Sequence, residues 1–226
     1  VGTKPTLPKK ITANGGKATL TVSWDSVDPT QYAYEGTSEV SGTASNGETV
    51  TAVIKTVDDM ANLLIQNGSP DPYITYHDGY YYYVRSDGGI CVAKSKRLAD
   101  IGTAPRVTVW TAPSSGMYSK EVWAPEIHNI DGEWYIYFAA DDGNNANHRM
   151  YCIKSTDPDN AQAQYEMMGK LAPTQYNESS GKWDVISEQD KWAIDGTVLQ
   201  DVNGKNYFIW SGWAGNVDGQ QNLYIA

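Results

Sequence analysis

The chain has 226 residues, enough for one large β domain or for a small domain and part of a larger one, and its formal net charge is −10. Nucleic acid and anionic membrane surfaces are bound through clustered lysine and arginine, so this acidic balance excludes both as expected partners. No apolar run approaches the roughly 18–20 residues of a membrane-spanning helix, so membrane insertion is not expected.

The first part of the chain has the pattern of a small antiparallel sandwich. Short alternating segments are separated by turn residues and lie at Ala18–Trp24, Gly36–Thr43 and Thr49–Val57. The stretches LPKKITANGGKATLTVSW and DPTQYAYEGTSEVSGTA resemble bacterial Ig-like domains. The resemblance implies that residues 1–57 form an Ig-like β-sandwich, a spacer or stabilising module without chemistry of its own.

Residues 58–226 are predicted to form a second, repetitive β domain. Three stretches share one outline, in which an apolar strand leads through a Gly-containing turn into a strand rich in Tyr, Trp and β-branched residues. They begin at Asp71, Ala124 and Asp195. Two short helical or linker segments are also expected, at Asp58–Ile65 and Asp157–Gln164.

These repeats are typical of propeller blades, which take about 40–50 residues each. The fold class is therefore expected to be all-β, a partial β-propeller with about three blades beside the small sandwich. The chain opens on Val1 without an initiator Met and stops inside the apolar segment NLYIA, so we expect it to be a fragment.

Aligned as repeats, Asp71, Ala124 and Asp195 occupy one position, on the innermost strand of a blade. Two carboxylates on separate blades would then face one pocket near the axis, which suits acid/base hydrolysis of a glycosidic bond. Taken singly, Asp-Pro and Asp-Gly are also common turn sequences, so each aspartate has a purely structural alternative.

The aromatic composition is skewed, with 16 Tyr and 8 Trp against 2 Phe. Tyr and Trp offer a flat apolar face with a polar edge, which complements the C–H faces and hydroxyl edges of sugars. The alternative is that strands favour these residues in any case.

Three ordered motifs then resemble glycoside hydrolase family 43. They are Asp71-Pro72-Tyr73-Ile74, Trp123-Ala124-Pro125-Glu126-Ile127 and Ala193-Ile194-Asp195-Gly196. The stretch Asn147–Tyr151 is also similar to arabinofuranosidase-type members of that family. The resemblance covers residues 68–226 and implies a five-bladed propeller and an inverting mechanism on arabinose- or xylose-containing plant polysaccharides. It implies a secreted or cell-surface bacterial protein whose partner is a plant polysaccharide or oligosaccharide.

The resemblance also implies roles for the two aspartates. Asp71 matches the general base, which deprotonates the attacking water, and Asp195 matches the carboxylate that raises the pKa of the general acid. The acid is a glutamate of a later blade, expected beyond the chain end, and neither Glu126 nor Glu188 lies in its motif. The fragment alone is therefore expected to be inactive or nearly so.

Three further residues are candidates for substrate binding. Trp123 would stack on a sugar ring, His148 would hydrogen-bond a hydroxyl, and Trp213 would flank the cleft. Their structural alternatives are blade packing, a polar loop position and rim packing. Trp192 is favoured as structural.

No cofactor is expected to be required, and no metal ligand is assigned. The family resemblance implies a possible structural calcium or sodium ion in the propeller channel, with ligands in later blades outside this chain. Asp141-Asp142, before Gly143, offers oxygen ligands of the kind calcium prefers, but a solvated turn is the favoured interpretation.

The leading hypothesis is an inverting glycoside hydrolase that cleaves terminal α-L-arabinofuranosyl or related pentose linkages. Endo-arabinanase and β-xylosidase activities remain open within the same family. A non-catalytic carbohydrate-binding propeller is the alternative from another class, and a structural adhesin is the third. The matched placement of Asp71 and Asp195 favours the enzyme.

Overall fold

The computed structural model describes residues 1–57, 64–65, 70–215 and 219–226. The chain divides into two compact units, Val1–Asn62 and Leu63–Ala226. The helical or linker segment expected at Asp58–Ile65 lies, up to residue 63, outside the described residues. The domain boundaries expected from the sequence, 1–57 and 58–226, stay a prediction.

The first unit contains one antiparallel sheet in which the strand order follows the chain. Its four strands are β1 (Lys10–Ala13), β2 (Ala18–Trp24), β3 (Gly36–Ala44) and β4 (Thr49–Thr56). Side chains alternate between more and less exposed along β2, as expected for a strand with one face packed against protein. The strands predicted from alternation are confirmed to within one residue, and the sandwich arrangement stays a prediction.

The second unit is built from successive antiparallel sheets whose strand order also follows the chain. The first sheet contains β5 (Tyr73–His77), β6 (Tyr80–Ser86), β7 (Ile90–Ser95) and β8 (Arg106–Trp110). The second contains β9 (Lys120–Ile130), β10 (Glu133–Asp141), β11 (Arg149–Ser155) and β12 (Tyr165–Lys170). A hairpin follows, of β13 (Thr174–Asn177) and β14 (Lys182–Val185), and then a sheet of β15 (Ala193–Gln200), β16 (Asn206–Trp213) and β17 (Gln221–Ile225). The all-β class is thus confirmed, and the number of blades stays a prediction.

The described helices are short 3-10 turns of three residues each. They lie at Asn14–Gly16, Pro29–Gln31, Leu98–Asp100, Asn145–Asn147 and Ser187–Gln189. Within the described ranges, no helix has the length and apolar character needed to cross a bilayer. The helix expected at Asp157–Gln164 is wrong, because this segment forms turns. Side-chain bonds close those turns, for example from the Gln162 N–H to Asn160 Oδ1 at 2.9 Å.

The main core lies between the first two sheets of the second unit. Its fully buried members include Val84 on β6, Ile127 on β9, and Ile136 and Phe138 on β10. Burial of each such side chain contributes roughly 1.5–3 kcal/mol. This packing fixes β5 and β9 side by side.

A second cluster joins the second and third sheets. Met150 and Ala193 are buried there and pack against Phe208 on β16. As a result β9, which already neighbours β5, also contacts β15. The first strands of the three larger sheets of this unit are thus side by side.

Candidate active site

The three repeat positions share one unusual backbone conformation. The φ angles of Asp71, Ala124 and Asp195 are 49°, 43° and 52°. This left-handed region is uncommon for residues other than glycine and costs on the order of 1–2 kcal/mol per residue. The shared conformation supports the alignment of the three repeats made from the sequence.

Bulges account for this conformation on β9 and β15. Trp123 pairs with Ala139 and Glu126 pairs with Tyr137, so Ala124 and Pro125 lie opposite a single residue of β10. On β15 the pairing passes from Ile194↔Ser211 to Thr197↔Ile209, so Asp195 and Gly196 likewise lie opposite a single residue. A bulge re-aims the side chains beside it, and here it does so at the same point of two sheets.

Gly196 is required at its position because the space behind it is filled. A Cβ there would collide with the Phe208 ring and would lie 2.7 Å from Met150 Cε. Core side chains therefore approach this glycine closely. Packing at Gly196 fixes the backbone that carries Asp195.

Three carboxylates converge closely enough for their charges to interact, from Asp71 just before β5, Glu126 on β9 and Asp195 on β15. The pKa of Asp195 is raised, first by partial desolvation and then by the negative charges of Asp71 and Glu126. The side chains of Asp71 and Asp195 reach solvent, and Glu126 is half-buried. The structure thus brings the two predicted aspartates together and adds Glu126 to them.

Glu126 is held by a hydrogen-bonded chain that crosses from β9 to β5. His128 Nε2 lies 3.1 Å from Glu126 Oε2, and the Tyr73 hydroxyl lies 3.3 Å from His128 Nδ1. A neutral imidazole with its proton on Nε2 satisfies both contacts, because Nε2 then donates to Glu126 while Nδ1 accepts from Tyr73. Burial, followed by the charge of Glu126, raises the pKa of Tyr73 to about 12.

No role was predicted for Glu126 from the sequence. The spacing of Glu126 and His128 was the available clue, because residues two positions apart on one strand lie on the same face. Tyr73 completes the chain from a strand more than 50 positions earlier, and its contact with His128 could not be read from local pattern.

The predicted substrate-binding residues lie in one row of aromatic rings. The Trp123 and His148 rings stack with centroids 4.0 Å apart, and His148 meets the edge of Trp192 at 6.4 Å. Trp192 in turn stacks on Trp213 at 4.5 Å with an interplanar angle of 9°. This row connects β9 with β15 and β16.

Only one ring of this row is presented to solvent. Trp123 is 36% exposed, whereas Trp192 and Trp213 are buried and His148 is 0% exposed. The Trp192 indole N–H donates to the Asn145 carbonyl at 2.8 Å, in keeping with the structural role favoured for it. Direct sugar contacts from His148 and Trp213 stay predictions, and as the structure stands both rings support Trp123 from within.

A separate cavity of about 430 Å³ lies beside β15–β17. Its lining is mainly apolar and includes Phe208, Trp210, Tyr224 and Ile225. None of the three converging carboxylates borders it. The cavity is instead bordered by Trp192 and Trp213 of the aromatic row, so the three carboxylates lie outside it.

Comparison with known proteins gives two family matches. Residues 60–226 match the family described as Glycosyl hydrolases family 43, and residues 1–47 match the Bacterial Ig-like domain (group 4).

Individual relatives are similar over most of this chain. An extracellular exo-alpha-(1->5)-L-arabinofuranosidase of Streptomyces avermitilis is 32% identical over 161 residues, which are 69% of this chain and 30% of that protein. An alpha-L-arabinofuranosidase 43 of Humicola insolens is 29% identical over 73% of this chain and 32% of its own length. The chain thus spans about a third of the length of these relatives.

Solved structures have the same fold. The alpha-L-arabinofuranosidase of Lactobacillus brevis matches with a TM-score of 0.60 and 32% identity, over 74% of this chain and 51% of that one. An endo-1,4-beta-xylanase of Bacteroides thetaiotaomicron matches with a TM-score of 0.52 and 17% identity, over 91% of this chain and 69% of that one, and shows the fold alone. Since the family match covers well over half of the chain, from residue 60 to residue 226, the chain belongs to glycosyl hydrolases family 43.

Proposed function

We propose that this chain contributes the base-bearing part of an inverting glycoside hydrolase that removes terminal α-L-arabinofuranosyl residues from plant cell-wall polysaccharides. The observation that carries the proposal is that Asp71 and Asp195, at equivalent positions of two repeats, are both exposed to solvent and near enough for the charge of Asp71 to act on Asp195. The arabinofuranosidase names of similar proteins support the choice of sugar.

In this proposal Asp71 is the general base. Its carboxylate is exposed, so a water molecule can lie between it and the anomeric carbon of a bound sugar. As that water attacks, its proton passes to Asp71 and the glycosidic bond breaks on the opposite face. The leaving oxygen is protonated by a carboxylic acid, a role that we assign to no described residue of this chain.

Asp195 acts on that acid through its charge. A carboxylate disfavours ionisation of a neighbouring carboxyl group, so Asp195 keeps the acid protonated near neutral pH. The pKa of Asp195 is itself raised, first by partial desolvation and then by the same kind of repulsion, exerted by Asp71 and Glu126. Glu126 is a positioning residue in this scheme, because His128 fixes the charge that it adds to the pocket.

Trp123 is proposed as the platform for a sugar ring, since its indole is partly exposed and backed by the buried His148 ring. An apolar face of this kind matches the C–H face of a pentose. His148 and Trp213 then contribute to binding by holding that platform in place.

For the architecture of the protein we propose two domains. Residues 1–57 form an Ig-like sandwich, and residues 58–226 form about three blades of a five-bladed propeller. An extracellular location is proposed because similar Streptomyces proteins are named as extracellular. The proposed partner is a plant arabinan or arabinoxylan. No cofactor takes part in the scheme, and a calcium or sodium ion in the channel would have its ligands elsewhere.

The test is hydrolysis of aryl α-L-arabinofuranoside and aryl β-D-xyloside by the full-length protein and by Asp71→Asn. Loss of the base is expected to lower kcat by about 10²–10⁴-fold. Asp78→Asn is the matched control, because Asp78 also has a positive φ, of 46°, but lies in the β5–β6 turn.

Activity on the arabinofuranoside that falls in Asp71→Asn and persists in Asp78→Asn supports the proposal. Preference for the xyloside overturns the choice of sugar. Sugar binding without hydrolysis of either compound or of arabinan identifies a carbohydrate-binding protein instead.

A further inference from the structure

A second cluster of potential ligands lies away from the three converging carboxylates. Glu121 is near the start of β9, Asp141 ends β10, and His148 immediately precedes β11. One ligand atom from each lies within 4.8 Å of the others. Asp141 and His148 are 0% exposed, whereas Glu121 is open to solvent.

The Asp141 carboxylate is incompletely satisfied. Its Oδ1 accepts a hydrogen bond of 2.8 Å from the Gly143 N–H. Its Oδ2 is buried and accepts no hydrogen bond from the residues that the structure describes, and its nearest charged-pair neighbour is His148 Nδ1 at 3.1 Å. A buried carboxylate oxygen in this state is costly unless a cation or a donor compensates it.

The His148 ring is surrounded by more hydrogen-bond acceptors than a neutral imidazole has N–H donors. Its Nε2 lies 3.2 Å from the Glu121 carbonyl, and its Nδ1 lies 3.3 Å from the Asn145 carbonyl as well as close to Asp141. Every one of these neighbours is an acceptor, whereas a neutral imidazole has a single N–H. If that proton is on Nε2 and donates to the Glu121 carbonyl, the Nδ1 lone pair points at acceptors and is compensated only by a second ring proton or by a metal ion.

Charge in the cluster is also unbalanced. A carboxylate oxygen of Glu121 lies within 4.8 Å of one of Asp141. Two carboxylates held so close together repel unless a proton or a cation lies between them. A divalent ion would neutralise both and would also occupy the lone pair of Nδ1.

We propose that Glu121, Asp141 and His148 bind a divalent transition-metal ion through His148 Nδ1 and one carboxylate oxygen each from Asp141 and Glu121. One imidazole nitrogen with two carboxylates is a donor set that suits zinc or manganese, whereas calcium and magnesium prefer oxygen alone. The Nε2–H bond to a backbone carbonyl is the outer contact that orients a ligating histidine. Water completes the coordination on the open side, at Glu121.

Such an ion would stiffen the aromatic row. Trp123 lies two residues after Glu121 and stacks on the ring of His148. The ion would therefore fix both the strand and the ring behind the exposed indole. The metal site does not depend on the proposed glycosidase activity, because none of its ligands is one of the three converging carboxylates.

The experiment is a calorimetric titration of metal-free protein with ZnCl₂, beside Glu121→Gln and the control Glu166→Gln. Glu121 is exposed, so its variant is expected to fold, and Glu166 is an exposed acid on β12. We expect a saturable site of one ion per chain whose Kd rises at least about tenfold in Glu121→Gln and is unchanged in Glu166→Gln. Absence of saturable binding, or equal binding by Glu121→Gln, overturns the site.

Two further measurements keep the result interpretable. Zn²⁺ should raise the Tm of the wild type and of Glu166→Gln more than that of Glu121→Gln, because an ion that binds only the folded state stabilises it. X-ray absorption of the zinc-loaded protein should show one nitrogen ligand of the imidazole type among oxygens. A shell of oxygens alone, or tighter binding of Ca²⁺ than of Zn²⁺, overturns the assignment.

Discussion

Asp195 illustrates how a carboxyl group proposed to act in catalysis can weaken the fold that carries it. Its ionised form is disfavoured in the folded chain by partial desolvation and by the charges of Asp71 and Glu126. An acid with a higher pKa in the folded state than in the unfolded state loses its proton more readily on unfolding. Ionisation of Asp195 therefore favours unfolding.

The destabilisation caused by ionised Asp195 should depend on pH. The cost is absent below the ordinary pKa of 3.8, grows as the pH rises through the raised value, and is complete above it. Asp195→Asn should thus increase the free energy of unfolding at pH 7 by about 0.5 kcal/mol more than at pH 3, a small gain because solvent screens the carboxyl. Urea denaturation at both pH values measures the difference, and kcat of the full-length protein should fall.

Asp131→Asn is the control for this experiment. Asp131 also has a positive φ, of 52°, but lies in the exposed β9–β10 turn. Its variant should follow the wild type at both pH values. An equal pH difference in the two variants would show that the neighbouring charges do not act on Asp195.

Glu126 and His128 are expected to act as one unit. A hydrogen bond to a charged group contributes about 1.5–3 kcal/mol, so Glu126→Gln and His128→Gln should each lower kcat/KM roughly ten- to a hundredfold. Because His128 acts through Glu126, the double variant should be little worse than the poorer single one. Steady-state kinetics of the full-length protein and its three variants form the cycle. Additive losses would show that His128 has a role independent of Glu126.

At the scale of strands and turns, two tryptophans of the aromatic row differ in exposure and are therefore expected to respond differently to substitution. Trp123 is partly exposed, and covering about 50–100 Å² of its face would contribute about 1–2 kcal/mol to sugar binding. Trp123→Ala should therefore raise KM about tenfold with little change in kcat. Trp213 is 4% exposed, so Trp213→Ala should instead cost roughly 3–5 kcal/mol of stability.

Kinetics and thermal denaturation of the two variants separate these effects. The circular dichroism of Trp123→Ala should remain native-like. A raised KM in Trp213→Ala at full stability would place that indole in the cleft, contrary to its burial. An unchanged KM in Trp123→Ala would remove the proposed platform.

Elements with a strong local pattern could be predicted from sequence. Alternation at Ala18–Trp24 and the Gly-containing turns of the repeats depend on neighbouring residues, and the strands lie where these patterns indicate. The segment Asp157–Gln164 could not be predicted correctly, because Asp and Asn side chains there bond to nearby backbone N–H groups and form turns.

The site was predictable only where it repeats. Asp71 and Asp195 could be found because their surroundings recur along the chain. The hydrogen-bonded series from Tyr73 through His128 to Glu126 could not be predicted, because it joins residues of different sheets. The burial of His148 was equally hidden, since it results from Trp123 and Trp192 closing over a polar loop.

On the scale of the whole molecule, the two compact units have separate cores. Val40 is 4% exposed within Val1–Asn62, and Val84 is fully buried in the main core of Leu63–Ala226. Units of this kind, each with its own buried apolar residues, are expected to unfold as separate cooperative transitions.

Two core truncations test this independence by calorimetry. Val40→Ala and Val84→Ala each remove two buried methyl groups, at a cost of roughly 1–3 kcal/mol. Because the first unit is smaller, its transition should move by roughly 5–15 °C in Val40→Ala, and that of the second unit by roughly 3–10 °C in Val84→Ala. Each variant should leave the other transition in place. A single transition that both substitutions lower would mean that the two units unfold together as one cooperative system.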